Sequence, residues 1–395
     1  MGSEEITLKK ALGFWWLFGI AVGAVVGDGI FTLTGYGVAS AGPSMLVNYL
    51  LIGITQICLM TSFGELVVWH PTAGGPEVWV RKLISPEWAA TSSLLFSIGW
   101  VLAGGSTGLA IGSYTHNFFQ QMGITLQPAD MWITCFAIFW LTLFAWLNVV
   151  GVDIAAGTQF WLVVFLVGIV VIFDVAVTPH VRAENFTPFM PRGIWGMIGA
   201  IPIAAYAFIG ASTVVFASEE AKNPVDVSRA LLWGSVTFVI VYTVALFTAV
   251  GTVPYNEVEK FLESLYVTSG ARVFGPAFAN IINVAAWLAA ATCLLMGTLY
   301  QPPRDLYNLA RSGYKVPSWM GYIHPRHRTP TKNIWLVWAI SVLLILSGQV
   351  AGQTVVYQLL SYELVWVWCV SWAFTLASAF ALRSRHPEEV AKLPW

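Results

Sequence analysis

Residues 13–43 read GFWWLFGIAVGAVVGDGIFTLTGYGVASAGP, and no other stretch so limits what this chain can become. The run is apolar and longer than the roughly 20 residues that carry a helix across a bilayer. Yet Gly23, Gly27, Asp28 and Gly29 fall in its middle. A glycine costs a helix interior about 1 kcal/mol relative to alanine, and an aspartate at bilayer depth costs about 2.5–3.5 kcal/mol on insertion scales. The helix is therefore expected to open there. Backbone N–H and C=O groups freed inside a membrane are tolerated only where they face protein, water or a ligand, so the break reads as a binding site. A cleavable leader is the competing reading, because Lys9 and Lys10 precede the run and Ala39-Ser40-Ala41 resembles a cleavage site. The distance between the two and the interruption at Asp28 count against it.

With 57% hydrophobic and 10% charged residues, against about 25% charged in soluble domains, the whole chain reads as an all-α polytopic membrane protein. Apolar runs are centred near residues 25, 54, 102, 141, 165, 206, 242, 287, 342 and 368, ten in all, and the short loops leave no room for a soluble domain. The expected organisation is a tail over residues 1–10, a transmembrane core over 11–382 and a second tail over 383–395. If the chain starts in the cytoplasm, fifteen of the nineteen Lys and Arg residues fall on the inside and only Arg182, Arg192, Lys260 and Arg272 outside. The positive-inside rule then places both termini in the cytoplasm of a cell-membrane protein. A net charge of −1 with no basic tract gives no reason to expect nucleic acid as a partner. Membrane lipid and a small-molecule substrate are the expected ones, and the oligomeric state is not readable.

Span 6, near residues 194–217, is interrupted by Gly199, Pro202 and Gly210. Pro and Gly together predict a second broken helix. It comes five spans after the first, and paired broken segments in corresponding positions point to an inverted repeat with its site at the repeat interface. The halves are expected at about 11–177 and 194–382. Gly104, Gly105 and Ser106 in span 3 read either as a packing face or as a lining of that site. Glu65 reads as an interfacial carboxylate paired with a basic residue, and Asp174 as a solvated end of span 5. Residues 301–313 read as an amphipathic helix on the cytoplasmic interface. Glu363 in span 10 is either interfacial or a coupling group, intramembrane carboxylates being functional by default. The four cysteines fall inside spans and read as packing residues.

Gly27-Asp28-Gly29-Ile30-Phe31, Ala41-Gly42-Pro43, Gly64-Glu65-Leu66, Pro71-Thr72-Ala73-Gly74-Gly75-Pro76, Phe208-Ile209-Gly210, Glu219-Glu220-Ala221-Lys222-Asn223-Pro224 and His324-Pro325-Arg326-His327-Arg328-Thr329-Pro330 resemble the amino acid–polyamine–organocation permeases. The likeness runs in order from about Leu8 to Trp395. It implies a LeuT-type fold of ten transmembrane helices in two inverted five-helix repeats, with helices 1 and 6 broken. It also implies transport of amino acids or related amines by alternating access. By residue-wise matching, substrate would be held by Ala24, Gly27, Asp28 and Gly29 and by Tyr206, Phe208, Ile209 and Gly210. The chain departs from the family pattern at Asp28, where members often have Ser or Thr, and at Ser212, where they often have Glu. Many members have twelve spans, so this chain is expected to be a ten-helix member or to lack its end.

The chemistry of broken helices agrees. A half-helix N-terminus carries about +0.5 charge with free N–H donors and suits a carboxylate, while the C-terminal end of a half-helix offers carbonyls to an ammonium. One site can thus read both ends of a zwitterion. Asp28 either takes up a proton as substrate binds or stays ionised and pairs with the substrate's ammonium, which makes Asp28 and Glu363 the candidate coupling groups. An intramembrane enzyme would need a metal or nucleophile constellation; no His-x-x-x-His or Glu-x-x-His pair lies in a span, and the six histidines are expected in loops or at span ends. No cofactor and no metal are expected. A non-transporting sensor built on a permease fold is the alternative.

Overall fold

The structure, a computed structural model, describes residues 7–27, 29–262 and 264–394. Its helices are α1 (Phe14–Gly23), α2 (Gly29–Thr32), α3 (Thr34–Ala41), α4 (Met45–Trp69), α5 (Pro76–Leu83), α6 (Pro86–Gln121), α7 (Ala129–Val150), α8 (Val152–Val177), α9 (Gly193–Gly199), α10 (Ile201–Ala207), α11 (Pro224–Thr252), α12 (Leu265–Phe274), α13 (Pro276–Thr292), α14 (Gln301–Arg311), α15 (Thr331–Ala351), α16 (Gln353–Arg385) and α17 (Pro387–Val390). Among the described residues the only extended pairing is a parallel bridge between Leu12 and Ala221. Nine helical stretches among them are long and apolar enough to cross a membrane. The remaining expected crossing, residues 13–43, is divided. Its first part, α1, has 10 residues, and its last, α3, runs through Gly42–Ser44 into α4.

The helices wrap around two interrupted ones. Helix α1 packs on α8 and α11, and α10 packs on α16 and α4; α4 packs on α11, and α6 spans the bundle, touching α7, α13, α15 and α16. The end of the bundle rich in basic residues is tied together by polar contacts. Arg304 and Glu220 form a fully buried pair, with Nε–Oε2 at 2.8 Å and Nη2–Oε1 at 3.0 Å, and Tyr300 donates its hydroxyl to the same carboxylate. Glu219 accepts from Arg311 Nη1 at 3.0 Å. Burial raises the Glu219 carboxyl more than any single contact lowers it, but the hydrogen bonds and charge of Arg311 together with the Ala73 N–H and the Thr72 hydroxyl hold it below its usual value. The main chain joins in, because Glu220 O accepts from the N–H of Ala11 and of Leu12 at 2.9 Å. Glu65 pairs with Arg383 at 2.7 Å, as expected of an interfacial carboxylate.

Several expectations need correction. Asp174 is 3% exposed rather than solvated, because α12 folds over that end of α8: Thr248 and Tyr266 donate to its Oδ1 at 2.8 and 2.9 Å. Residues 301–313 do not present a solvated polar face, residues 301–311 being packed into the protein. In α14 the polar residues Gln301, Arg304, Asp305 and Asn308 are buried, and the Asp305 carboxylate accepts from Ser93 and Ser97 of α6. Three of the four cysteines, Cys58, Cys135 and Cys369, are exposed on the outside of the bundle, and only Cys293 is packed inside. His116 falls within α6, buried, with Nε2 3.1 Å from Leu126 O.

Candidate functional site

Both expected breaks are present. Helix α1 ends at Gly23, and helical structure resumes only at Gly29; Asp28 lies outside the described residues. Across the gap the Tyr242 hydroxyl of α11 donates to Val25 O at 2.7 Å and accepts from Gly27 N at 3.2 Å, so one phenol satisfies both a freed carbonyl and a freed amide. The Cys293 thiol faces Gly23 O and Ala24 O at 3.7 and 3.6 Å, and Thr292 Oγ1 reaches Val26 O at 3.5 Å. The second break follows α10: Phe208 and Ile209 leave the helix, Gly210 adopts φ 134°, and a 3-10 stretch takes over at Ala211–Ala217. The breaks touch. A Cβ built on Gly210 would stand 2.0 Å from Ala24 O, so only a glycine lets the two backbones meet there.

Between them lies a cavity of about 30 Å³, lined by Ala24, Val25, Gly27 and Gly29 of the first break, Tyr206, Ala207 and Ile209 of the second, Trp100, Ala103 and Thr107 of α6, Cys293, and Leu364 and Trp368 of α16. No lining side chain among the described residues is charged. The structure therefore brings together Ala24, Gly27, Gly29, Tyr206 and Ile209. Phe208 is fully buried instead, packed edge-on against Tyr49 and Tyr242 at 5.3 and 5.5 Å beneath the break, and Gly210 supplies the crossing rather than the lining. Gly104, Gly105 and Ser106 do not line the cavity. A Cβ on Gly104 would meet Ser341 at 2.4 Å and one on Gly105 would meet Leu360 at 2.6 Å, so that face of α6 is a packing face and the next face carries the lining. Glu363 is exposed on the outside of α16, while its neighbours Leu364 and Trp368 point inward.

Sequence reading missed Val25, Trp100, Ala103, Thr107, Ala207, Cys293, Leu364 and Trp368. The available signal was the spacing of Trp100, Ala103 and Thr107, which puts a large ring and two small residues on one helical stripe. Cys293 opens a π-helical turn, Cys293–Thr298, a feature that local apolar sequence does not announce. Asn148, in the last turn of α7, donates to Leu295 O at 2.7 Å and so satisfies a carbonyl within that turn.

A many-span helical bundle with two interrupted helices meeting beside a cavity that both of them line is an integral membrane protein of the permease class. Residues 12–395 match the family described as "Amino acid permease", and the chain belongs to that family. It is similar to the branched-chain amino acid permease BcaP of Bacillus subtilis, 27% identical over 363 residues, covering 87% of this chain and 76% of that protein. It is also similar to the gamma-aminobutyric acid permease of Bacillus subtilis, 28% identical over 327 residues, with 78% and 67% covered. The D-serine/D-alanine/glycine transporter of Escherichia coli is 24% identical over 400 residues, with 95% and 82% covered.

Proposed function

We propose that this chain is a secondary active transporter that moves a small amino acid or related amine across the cell membrane by alternating access, coupled to protons or by exchange. The observation that carries the reading is the contact of the two breaks at Ala24 and Gly210 beside a cavity lined by both. Freed backbone groups at the crossing suit the carboxylate and ammonium of a zwitterion, with Ala24, Gly27, Asp28 and Gly29 on one side and Tyr206 and Ile209 on the other. The relatives' names agree, since each of the three is called a carrier of an amino acid or of an amino-acid-like compound.

A LeuT-type arrangement of ten crossings, repeats at about 11–177 and 194–382 and both termini in the cytoplasm completes the proposal. The packing pairs support it: exchanging each element for its counterpart five crossings on turns α1–α8 into α10–α16, α1–α11 into α10–α4 and α6–α16 into α13–α8, and all six pairs are in contact. Purified protein in liposomes, challenged with radiolabelled amino acids and amines, tests the function. Saturable flux of at least one compound is expected. Binding without flux would favour the sensor, and neither would remove both readings.

A further inference from the structure

Asp305 is a carboxylate that the substrate site does not account for. It sits in α14, fully buried, and both its oxygens accept from hydroxyls of α6, Oδ1 from Ser93 and Oδ2 from Ser97. Among the described residues no cation pairs with it. The arginines of α14 turn elsewhere, Arg304 to Glu220 and Arg311 to Glu219, and Lys332 of α15 lies over the Tyr322 ring. On α6, Glu87 accepts from Ser85 at the first turn and His116 faces Leu126 O near the last. The charge that acts on Asp305 from a neighbouring element is also negative: Glu77 of α5, paired with Arg81 at 3.0 Å and bound by Asn308 Nδ2 at 2.8 Å. The 3-10 stretches Ala211–Ala217 and Ser318–Gly321 and the π turn, which also pack on α14, carry no charged side chain.

An isolated carboxylate ion is costly to bury, and such a group takes up a proton instead. The consequence would not stay local. Ser93 and Ser97 precede Trp100 on one stripe of α6, and Gln301 precedes Asp305 by one turn of α14, so the two stripes face each other. Gln301 Oε1 accepts from Trp100 Nε1 at 2.7 Å and from Thr213 Oγ1 at 3.0 Å. Trp100 lines the cavity and meets Trp368 of α16 edge to face at 5.1 Å. The other end of the Gln301 amide, Nε2, is buried without a partner. An unpaired buried N–H is costly, and an amide four residues before a carboxylate on one helix is within hydrogen-bonding reach of it. Two arrangements are therefore open to Gln301. Beside a neutral Asp305 it stays on Trp100 and Thr213. Beside an ionised Asp305 its Nε2 gains a charge-assisted bond, about twice as strong as a neutral one, which draws the amide off the cavity wall.

We propose that Asp305 is a proton-binding site of the transport cycle, taking up one proton as substrate is carried and signalling its state to the cavity through Gln301 and Trp100. As the acid, its O–H donates to a serine oxygen; the proton leaves to water when the bundle opens on the other side. This rests on the transporter reading, and the test keeps the two apart. Full-length protein is reconstituted in liposomes holding a trapped pH dye and offered glycine, L-alanine, L-leucine, 4-aminobutyrate and putrescine, with radiolabel exchange of the same compounds followed in parallel. In wild type at least one compound is expected to enter and to acidify the lumen as it does. Asp305→Asn keeps the shape of the side chain and is expected to retain exchange, lose the acidification and flatten the pH profile of uptake. Glu184→Gln, at an exposed turn, should match wild type. Ser97→Ala removes a donor to the ionised form and should move the midpoint of the pH profile upward by about one unit. It decides the matter if Asp305→Asn does not fold. Acidification at the wild-type level or loss of exchange in folded Asp305→Asn, an unmoved midpoint in Ser97→Ala, or wild-type flux without proton movement overturns the proton site and leaves the transporter reading intact. Silence from all five compounds in wild type overturns that reading and the proton site with it.

Discussion

Substituting Gly210 isolates the crossing of the two breaks. At φ 134° an L side chain is strained by about 1–3 kcal/mol. The added Cβ would also stand 2.0 Å from Ala24 O, nearer than side-chain carbons ever come, so one backbone must shift. Over-packing of that kind costs about 1–3 kcal/mol. Gly210→Ala is thus expected to lose about 2–6 kcal/mol in all. Gly123 supplies the comparison: its φ is 80°, and nothing lies within 4 Å of a Cβ built on it. Gly123→Ala carries the dihedral cost alone, about 1–3 kcal/mol. Thermal unfolding of the purified proteins should rank wild type above Gly123→Ala above Gly210→Ala. Uptake into liposomes should persist in Gly123→Ala and fail in Gly210→Ala, because displacing either break opens the cavity wall. A Gly210→Ala protein as stable and as active as Gly123→Ala would refute the contact between the breaks and the site built on it.

Asp28→Asn is expected to fold and to lose most net uptake; retained exchange with a flat pH profile would identify a proton-coupling carboxylate, loss of binding an ammonium partner, and wild-type behaviour would reduce the side chain to a cap. Arg304→Met should cost about 3–5 kcal/mol by leaving the Glu220 carboxylate buried and unpaired, and Arg304→Met/Glu220→Leu should recover most of it, so equal melting temperatures for the single variant and wild type would contradict a desolvated pair. Uptake should be indifferent to replacing sodium by choline at constant pH, since of the two threonines of this segment only Thr292 turns to the first break, 3.5 Å from Val26 O, while Cys293 sets a thiol at the Gly23 and Ala24 carbonyls and Thr298 is turned away to Trp100 O; collapse of uptake would refute this. Single cysteines at Lys222 and Lys315 in a cysteine-free background should resist an impermeant thiol reagent in whole cells and one at Lys260 should react, the reverse pattern overturning the proposed orientation.

What was legible in the sequence was what is written locally. Gly23, Gly27 and Gly29, then Pro202 and Gly210, weaken a helix wherever they stand, and both breaks fall among them. Helix α4 runs from Met45 to Trp69, and Glu65 near its end finds Arg383. Features decided by distant packing stayed hidden. Trp100 and Trp368 are two among many apolar aromatics, and only the folding of α16 onto α6 brings their rings together. Asp174 carries no mark of the Tyr266 that covers it. The polar residues of α14 look like a solvated face until Glu220, Ser93 and Ser97 are placed opposite them.

The π turn at Cys293–Thr298 changes how this part of the chain can be compared with others. A π turn holds one more residue than an α turn, as if a single residue had been slipped into a finished helix. Upstream and downstream of it, helical phase is counted from different origins, offset by about 100°. Thr292 and Cys293 face the first break in one phase, while Gln301, Arg304 and Asp305 face Trp100, Glu220 and α6 in the other. A chain of this family lacking that one residue would align without a visible gap in its apolar pattern, yet present a different face of the same segment to the cavity.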